Sequence, residues 1–410
     1  MEIDFSSKRW ISFLGLLLII SQLQGCASQA KLAQAENYLV MEAPKKALAS
    51  IESLKTSSFD RLLYWLNAGV IYRYDKNYQS SIESFAQAKA IILGSEATSI
   101  TGTLSSLTLS ENTKAYQATP IDTLLIFVYQ MLNFLEIHDF ESARVEAMQL
   151  DAYLKRLGTH QYFGVEGFAR YLSGVVFQGL DEIDNAYIAF KQSLKAFEIE
   201  GITIPNDLAH QLVCLAKTLS IDEEFKTFKE RFQGADSARL CATQESLLVY
   251  HVGFVPRLVP NSITALHPDE GYILHISVPK LLDRSVPAID SVLKVNDDAY
   301  AIQLGFDLSM AIERQLDDQL PSMRAKAISR LIASQVVVNK TEEQSEILAH
   351  VFNLAASVLQ TADTRQWSLL PAEFYLVRVP WHQESIHVSD ELLQPPGNDR
   401  LSVQSIYWHG

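Results

Sequence analysis

Apolar residues recur at three- and four-residue intervals through about the first 230 positions and at alternate positions after Gly234, so the chain reads as helices followed by strands. In the helical part, Trp65, Ala68, Gly69 and Tyr72 share one face, and Ser81, Phe85 and Ala88 share the next. Ser173, Gly174 and Phe177, then Ala186 and Phe190, repeat this order of small and aromatic residues. Phe127, Phe134, Phe140, Ala143 and Ala147 fit a pair that lacks the glycine. Ala47 and Ile51, after Pro44, predict the second helix of an opening pair, and Asp207–Leu219 with Asp222–Phe232 predict a last one. Four or five helical hairpins follow, interrupted by a Ser/Thr-rich stretch from Gly94 to Thr119 that reads as a long loop.

The alternating part predicts strands at Leu247–Val255, Tyr272–Val278, Ser291–Val295, Tyr300–Leu304, Glu373–Val379, Ser385–Val388 and Ser402–Trp408, with prolines between them. Asn296, Asp297 and Asp298 suggest a hairpin turn. A helix from Asp307 through Pro321 to about Asn339, and an amphipathic one over Glu342–Gln360, interrupt the strands. The expected fold class is therefore α+β: an N-terminal helical array over 26–235, then a small mixed domain over 236–410 with an antiparallel sheet and a helical insert at about 306–360.

Gly69 and Gly174 lie 105 residues apart, close to three tetratricopeptide periods of about 34 residues, and the small and aromatic positions track that pattern. Such an array offers a concave surface to peptides or partner domains. Tyr38, Tyr64, Tyr74, Tyr78 and Tyr116 are candidates for it, although aromatics at helical spacing belong more often to the core.

The first 25 residues have another grammar. Lys8 and Arg9 precede an apolar run of 11 residues, Trp10 to Ile20, too short for a membrane span of about 20. Leu23, Gln24, Gly25 and Cys26 then resemble the lipobox of bacterial lipoproteins, with Gln24 where Ala, Ser or Thr is usual. The resemblance implies cleavage before Cys26, a diacylglyceryl group on its thiol, and, with Ala27 instead of Asp next, an outer-membrane address facing the periplasm. Two or three acyl chains anchor durably where one does not. Nothing else in the chain reads as a span; Leu124–Leu135 is broken by Tyr129, Gln130 and Asn133 and reads as a buried helix.

A net charge of −14 disfavours nucleic acid and anionic headgroups, so membrane contact is expected through the lipid alone. Cys214 and Cys241 are either a disulfide, permitted in an oxidising compartment, or a buried free thiol and an incidental one. The ten histidines form no His-Glu-x-x-His and there is no Cys-x-x-Cys, so neither metal nor cofactor is expected. Nucleophile elbows, phosphate loops and dinucleotide fingerprints are absent from the sequence, and no catalytic residue is assigned.

The segment Ala362 to Glu373 with Val377 to Pro380, together with Asp139 to Glu146 and the helix from Leu320 to Arg330, resembles a largely uncharacterised group of bacterial envelope lipoproteins with tetratricopeptide-like repeats. That resemblance implies location and architecture and no reaction. Relatives carry regularly spaced basic residues on the helix after Leu-Pro; Lys326 and Arg330 fit, and Ser334 departs. Within the segment, Asp363 can turn the chain, Arg365 can fork onto a carboxylate and Trp367 can cover the sheet edge. These three are the candidate partner-binding residues, weighed against a plain joint between helix and strand. Arg144 and Glu141, three apart on a helix, predict a local ion pair. The function expected is a non-enzymatic, lipid-anchored scaffold that holds another envelope protein in its helical groove. The alternatives are a glycan-binding or hydrolytic C-terminal domain, or a subunit of a secretion complex.

Overall fold

Among the described residues, five helical hairpins share one turn. In the computed structural model, which describes residues 28–99, 115–158, 162–232, 244–266, 273–295, 298–342, 362–381, 386–388, 391–393 and 400–409, the pairs are as follows. They are α1 (28–40) with α2 (Pro44–Ile51), α3 (Arg61–Tyr74) with α4 (Tyr78–Ser99), α5 (Pro120–Glu136) with α6 (Phe140–Leu157), α7 (Val165–Gly179) with α8 (Ile183–Glu200), and α9 (Asn206–Thr218) with α10 (Asp222–Arg231). At the turns, Glu42, Lys76, His138, Asp181 and Ser220 all adopt positive φ, between 53° and 59°. The next residue in each case returns its N–H five residues back, as in Asn77 to Tyr72 O and Asp139 to Phe134 O, both 2.8–2.9 Å. This double-bonded stop satisfies the last carbonyls of each first helix and redirects the chain into the second.

Glycine sets the closeness within two of the pairs. A Cβ on Gly69 would stand 2.6 Å from the ring of Phe85, and one on Gly174 would stand 2.5 Å from the ring of Phe190. The aromatic of each second helix thus sits against bare backbone of the first. Ser81 on α4 adds a hydroxyl bond to the Gly69 carbonyl at 2.8 Å. The helical repeats expected from the small and aromatic spacing are therefore present, and the reason is steric.

Among the described residues ten strands follow: β1 (Glu245–Val252), β2 (Arg257–Leu266), β3 (Ile273–Leu282), β4 (Val292–Val295), β5 (Asp298–Ala301), β6 (Gln303–Asp307), β7 (Glu373–Pro380), β8 (Ile386–Val388), β9 (Glu391–Leu393) and β10 (Leu401–Trp408), with the long helix α11 (Leu308–Glu342) between β6 and β7. The main sheet has the order β10-β1-β7-β6; β7 is antiparallel to β1 and β6, whereas β1 and β10 run parallel. The remaining strands form three two-stranded antiparallel ribbons. β4 and β5 pair from Val295 with Asp298 outward, which is the hairpin expected around Asn296.

The sheet lies on the first helices of the pairs. α5 and α7 touch β10, α7 touches β6 and α9 touches β7. Leu247, Val249, Phe374, Leu376 and Val403 face this layer and share one core with the helices. The alternate residues, Leu248, Tyr250, Val252, Val377 and Val379, face the other way and are covered by Leu293, Val295 and Ile302. Every residue of β1 is buried, as a central strand between two layers requires. The face that such an array usually presents to partners is therefore occupied by the chain's own sheet. This corrects the expectation of an open groove: the alternating strand residues find their apolar partner on the first helices.

Three smaller expectations change. α4 continues through Ser99, beyond Gly94 where a loop was expected. β2 was not anticipated, because Pro260 stands inside it; in the ribbon Pro260 lies opposite Pro279, where neither supplies a ladder N–H. Arg144 reaches Glu182, just before α8, at 2.8 Å instead of Glu141, tying one pair to the next. The amphipathic stretch 343–361, Cys26 and Cys241 lie outside the described residues.

Candidate functional site

Two buried arginines fasten the sheet to the helices. Arg73 on α3 donates to Asn133 and, at 3.2 Å, to Glu136 on α5. It also donates to Ser405 Oγ at 2.6 Å and Tyr407 Oη at 3.0 Å on β10. Glu136 in turn accepts the Ser405 backbone N–H at 2.7 Å. Arg378 on β7 forks onto Asp207 of α9 at 2.9 and 3.2 Å and reaches Glu245 of β1 at 2.9 Å. Its side chain is 3 % exposed, so this cluster is sealed from water. Burial raises the Glu245 carboxyl above its usual range, with Arg378 pulling the other way. Sequence reasoning missed both arginines, although a cation at an inward position of the Leu376-Val377-Arg378-Val379 alternation was a readable signal.

His251 of β1 meets Ser405 Oγ through Nε2 at 3.2 Å. Its ring is stacked on Tyr407 and fully buried, and burial holds its pKa well below the ordinary value. Its Nδ1 has no hydrogen-bond partner among the described residues.

A cavity of about 300 Å³ opens where the start of α5, strand β3, helix α11 and the segment 362–370 converge. Ile121, Leu125, Ile276, Val278, Leu316 and Leu370 supply apolar wall. Tyr116, Asp122, Lys326, Asp363, Arg365 and Trp367 supply its polar and aromatic groups. All three candidate partner-binding residues of the sequence thus border one space.

Their geometry is that of a joint. The Asp363 carboxylate accepts from Arg365 Nε at 2.9 Å and Nη2 at 2.7 Å, and from the Arg365 backbone N–H at 3.0 Å, which turns the chain. Arg365 also meets Asp60, before α3, at 3.5 Å. Burial opposes its charge, and the Asp363 and Asp60 carboxylates outweigh that, raising its pKa. Trp367 is 1 % exposed and lies between Phe85 and Tyr129, both centroids 5.8 Å away, instead of over the sheet edge. Its indole N–H is a buried donor without an acceptor among the described residues. Neighbouring bonds extend the seam: Gln29 donates to Thr364 O at 2.7 Å, and Leu369 N–H donates to Asn67 at 3.2 Å.

Asp122 is spent on its own helix. It accepts the Thr119 N–H at 2.8 Å while Thr119 Oγ1 accepts the Asp122 N–H at 3.1 Å, closing a capping box at the start of α5. Tyr116 Oη adds a bond at 3.0 Å. Burial raises the Asp122 pKa against these three bonds. Cys214 on α9 is disulfide-bonded, which removes the free-thiol alternative. Among the described residues, no group of three or more His, Cys, Asp or Glu could hold a metal ion, and no helix is long and apolar enough to cross a membrane.

No family model and no curated protein matches the chain. Among solved structures it is similar to the apo form of RapI, with 10 % identity over 52 % of this chain and 70 % of that one, at a TM-score of 0.39. It is similar to a Podosopora anserina kinesin light chain with nearly identical TPR-like repeats, at 12 % identity over 51 % and 95 % of the two chains and a TM-score of 0.36. MamA AMB-1 aligns at 13 % identity over 52 % and 94 %, with a TM-score of 0.32. Scores this low carry no function across, and the repeat assignment stands on the chain's own five turns and its glycine–aromatic contacts.

Proposed function

We propose that this chain is a non-enzymatic scaffold, held by acyl chains on Cys26 to the periplasmic face of the outer membrane, where it positions another envelope protein. The observation that carries the reading is the fixed body. The chain is already helical at Ser28, two residues beyond Cys26, which allows a separation of only about 7 Å. Gln29 is itself bonded to Thr364, so the first helix is welded to the rest. An acylated Cys26 would therefore hold the body close to the bilayer in a restricted orientation. The disulfide at Cys214 agrees with an oxidising compartment, and an acylated Cys26 leaves Cys241 as its partner. Because the sheet fills the inner helix face, the partner is held on outer surfaces.

A hydrolytic reading has one observation in its favour, two carboxylates on one cavity. Asp122 is consumed by its capping box and Asp363 by Arg365, which leaves the scaffold as the better reading.

The test is cross-linking in intact cells followed by pull-down, native chain against Cys26→Ser, with mass spectrometry of the mature N-terminus. Diacylglyceryl on Cys26 and partner capture only by the anchored form are expected. An unmodified thiol would overturn the anchor. Absence of any specific cross-linked protein in both forms would overturn the scaffold.

A further inference from the structure

We infer that the cavity beside α11 is the partner's docking point and takes an apolar side chain flanked by acidic residues on a peptide segment of that partner; this deepens the scaffold reading and rests on it. About 300 Å³ stands at the lower end of ligand pockets, enough for one or two side chains and short of a long lipid chain. The wall is mainly aliphatic, which favours an apolar anchor.

Charge settles the flanks. The two acids on the cavity are already answered within the chain, Asp363 by Arg365 and Asp122 by Thr119 and Tyr116. Lys326, by contrast, is exposed where α11 borders the cavity, one turn before Arg330, which has contacts of its own. In a chain of net charge −14, an exposed cation beside an apolar hollow whose acids are already bonded within the chain is a local exception. It favours an anionic segment and repels the many basic ones that the rest of the surface attracts.

The experiment uses the full mature chain and three fluorescein-labelled heptapeptides: an acidic one with a central Phe-Leu, the same with Ala-Ala, and a lysine-flanked Phe-Leu. Binding is read by anisotropy at low and high salt. Saturable binding of the acidic Phe-Leu peptide alone is expected. Lys326→Glu should weaken it about tenfold, and high salt should mimic that loss. Gln319→Trp, which adds bulk at a partly exposed cavity position, should abolish it. Equal binding of the lysine-flanked peptide, or indifference to Gln319→Trp, overturns the inference. So does displacement of the peptide by decanoate or by a muropeptide disaccharide at lower concentration, which would assign the cavity to a lipid or a glycan. A photo-cross-linker placed at position 326 and another on exposed Met148 of α6 separate the two levels. A partner captured only at 148 removes the cavity and leaves the scaffold, and none at either position removes both.

Discussion

Arg378→Met tests the account of how the two layers are held. The guanidinium sits between Asp207 and Glu245 with three contacts of 2.9 to 3.2 Å, and Tyr171 Oη also donates to Asp207 at 2.6 Å. Methionine fills a similar space and removes the charge, leaving two carboxylates in a dry seam. Breaking a buried pair in this way costs about 3–5 kcal/mol, a large part of a typical folding stability of about 5–15 kcal/mol. The loss should depend on pH in a definite direction. Burial already raises the Glu245 carboxyl, and with Arg378 gone nothing opposes that, so Glu245 binds a proton more readily in the folded state than in the unfolded one and lowering the pH restores stability to the variant. Urea unfolding followed by far-ultraviolet dichroism should therefore show the full loss near pH 8 and a clearly smaller one near pH 5. A companion chain carrying Arg378→Met, Asp207→Asn and Glu245→Gln should recover most of the stability, because no charge is then stranded. A loss under about 1 kcal/mol at pH 8, or one of equal size at both pH values, would refute the reasoning.

Gly174→Ala places a methyl against the Phe190 ring and should cost about 1–3 kcal/mol in thermal or urea melts, with Phe190→Leu in the same chain restoring part of it. His409 lies between the rings of Tyr74 and Phe254, and burial pushes its pKa down to about 4. The unfolded chain takes up that proton near pH 6.5, so this residue's share of stability is complete above pH 6.5 and falls as pH drops towards 4. His409→Phe keeps the stacking, and the difference in melting temperature between it and the native chain should widen in its favour over that window. Cys214→Ser or a thiol reductant should each lower stability by about 2–5 kcal/mol and together no further, with peptide mapping of the oxidised chain yielding a 214–241 bridge.

The helical pairs were legible because their signal is steric and local: a glycine on one helix and an aromatic on the next can be read from spacing alone. The turns between them were harder to read, since Glu42, Lys76, His138, Asp181 and Ser220 share a conformation and no side-chain chemistry. Strand positions followed from alternation, except at β2, where Pro260 suggested an interruption. What the sequence concealed was long-range: which strands pair, that β10 runs parallel to β1, and that the sheet lies on the first helices. Most of those facts depend on partners far away along the chain, such as Arg73 with Ser405. Asp363, Arg365 and Trp367 were found by their chemical character, and the structure brings all three to one cavity while using each of them internally.

The seam between Arg73 and β10 has a consequence for how the chain comes into being. Strand β10 is made some 330 residues after the arginine it must meet, so for most of synthesis the inner sides of α3, α5 and α7 have no cover. A fragment ending near residue 235, the natural choice for isolating the helical half, would carry that uncovered surface permanently and bind whatever apolar chain it met. Its interactions would report the missing sheet and not the biological partner, so ligand searches belong with the whole protein.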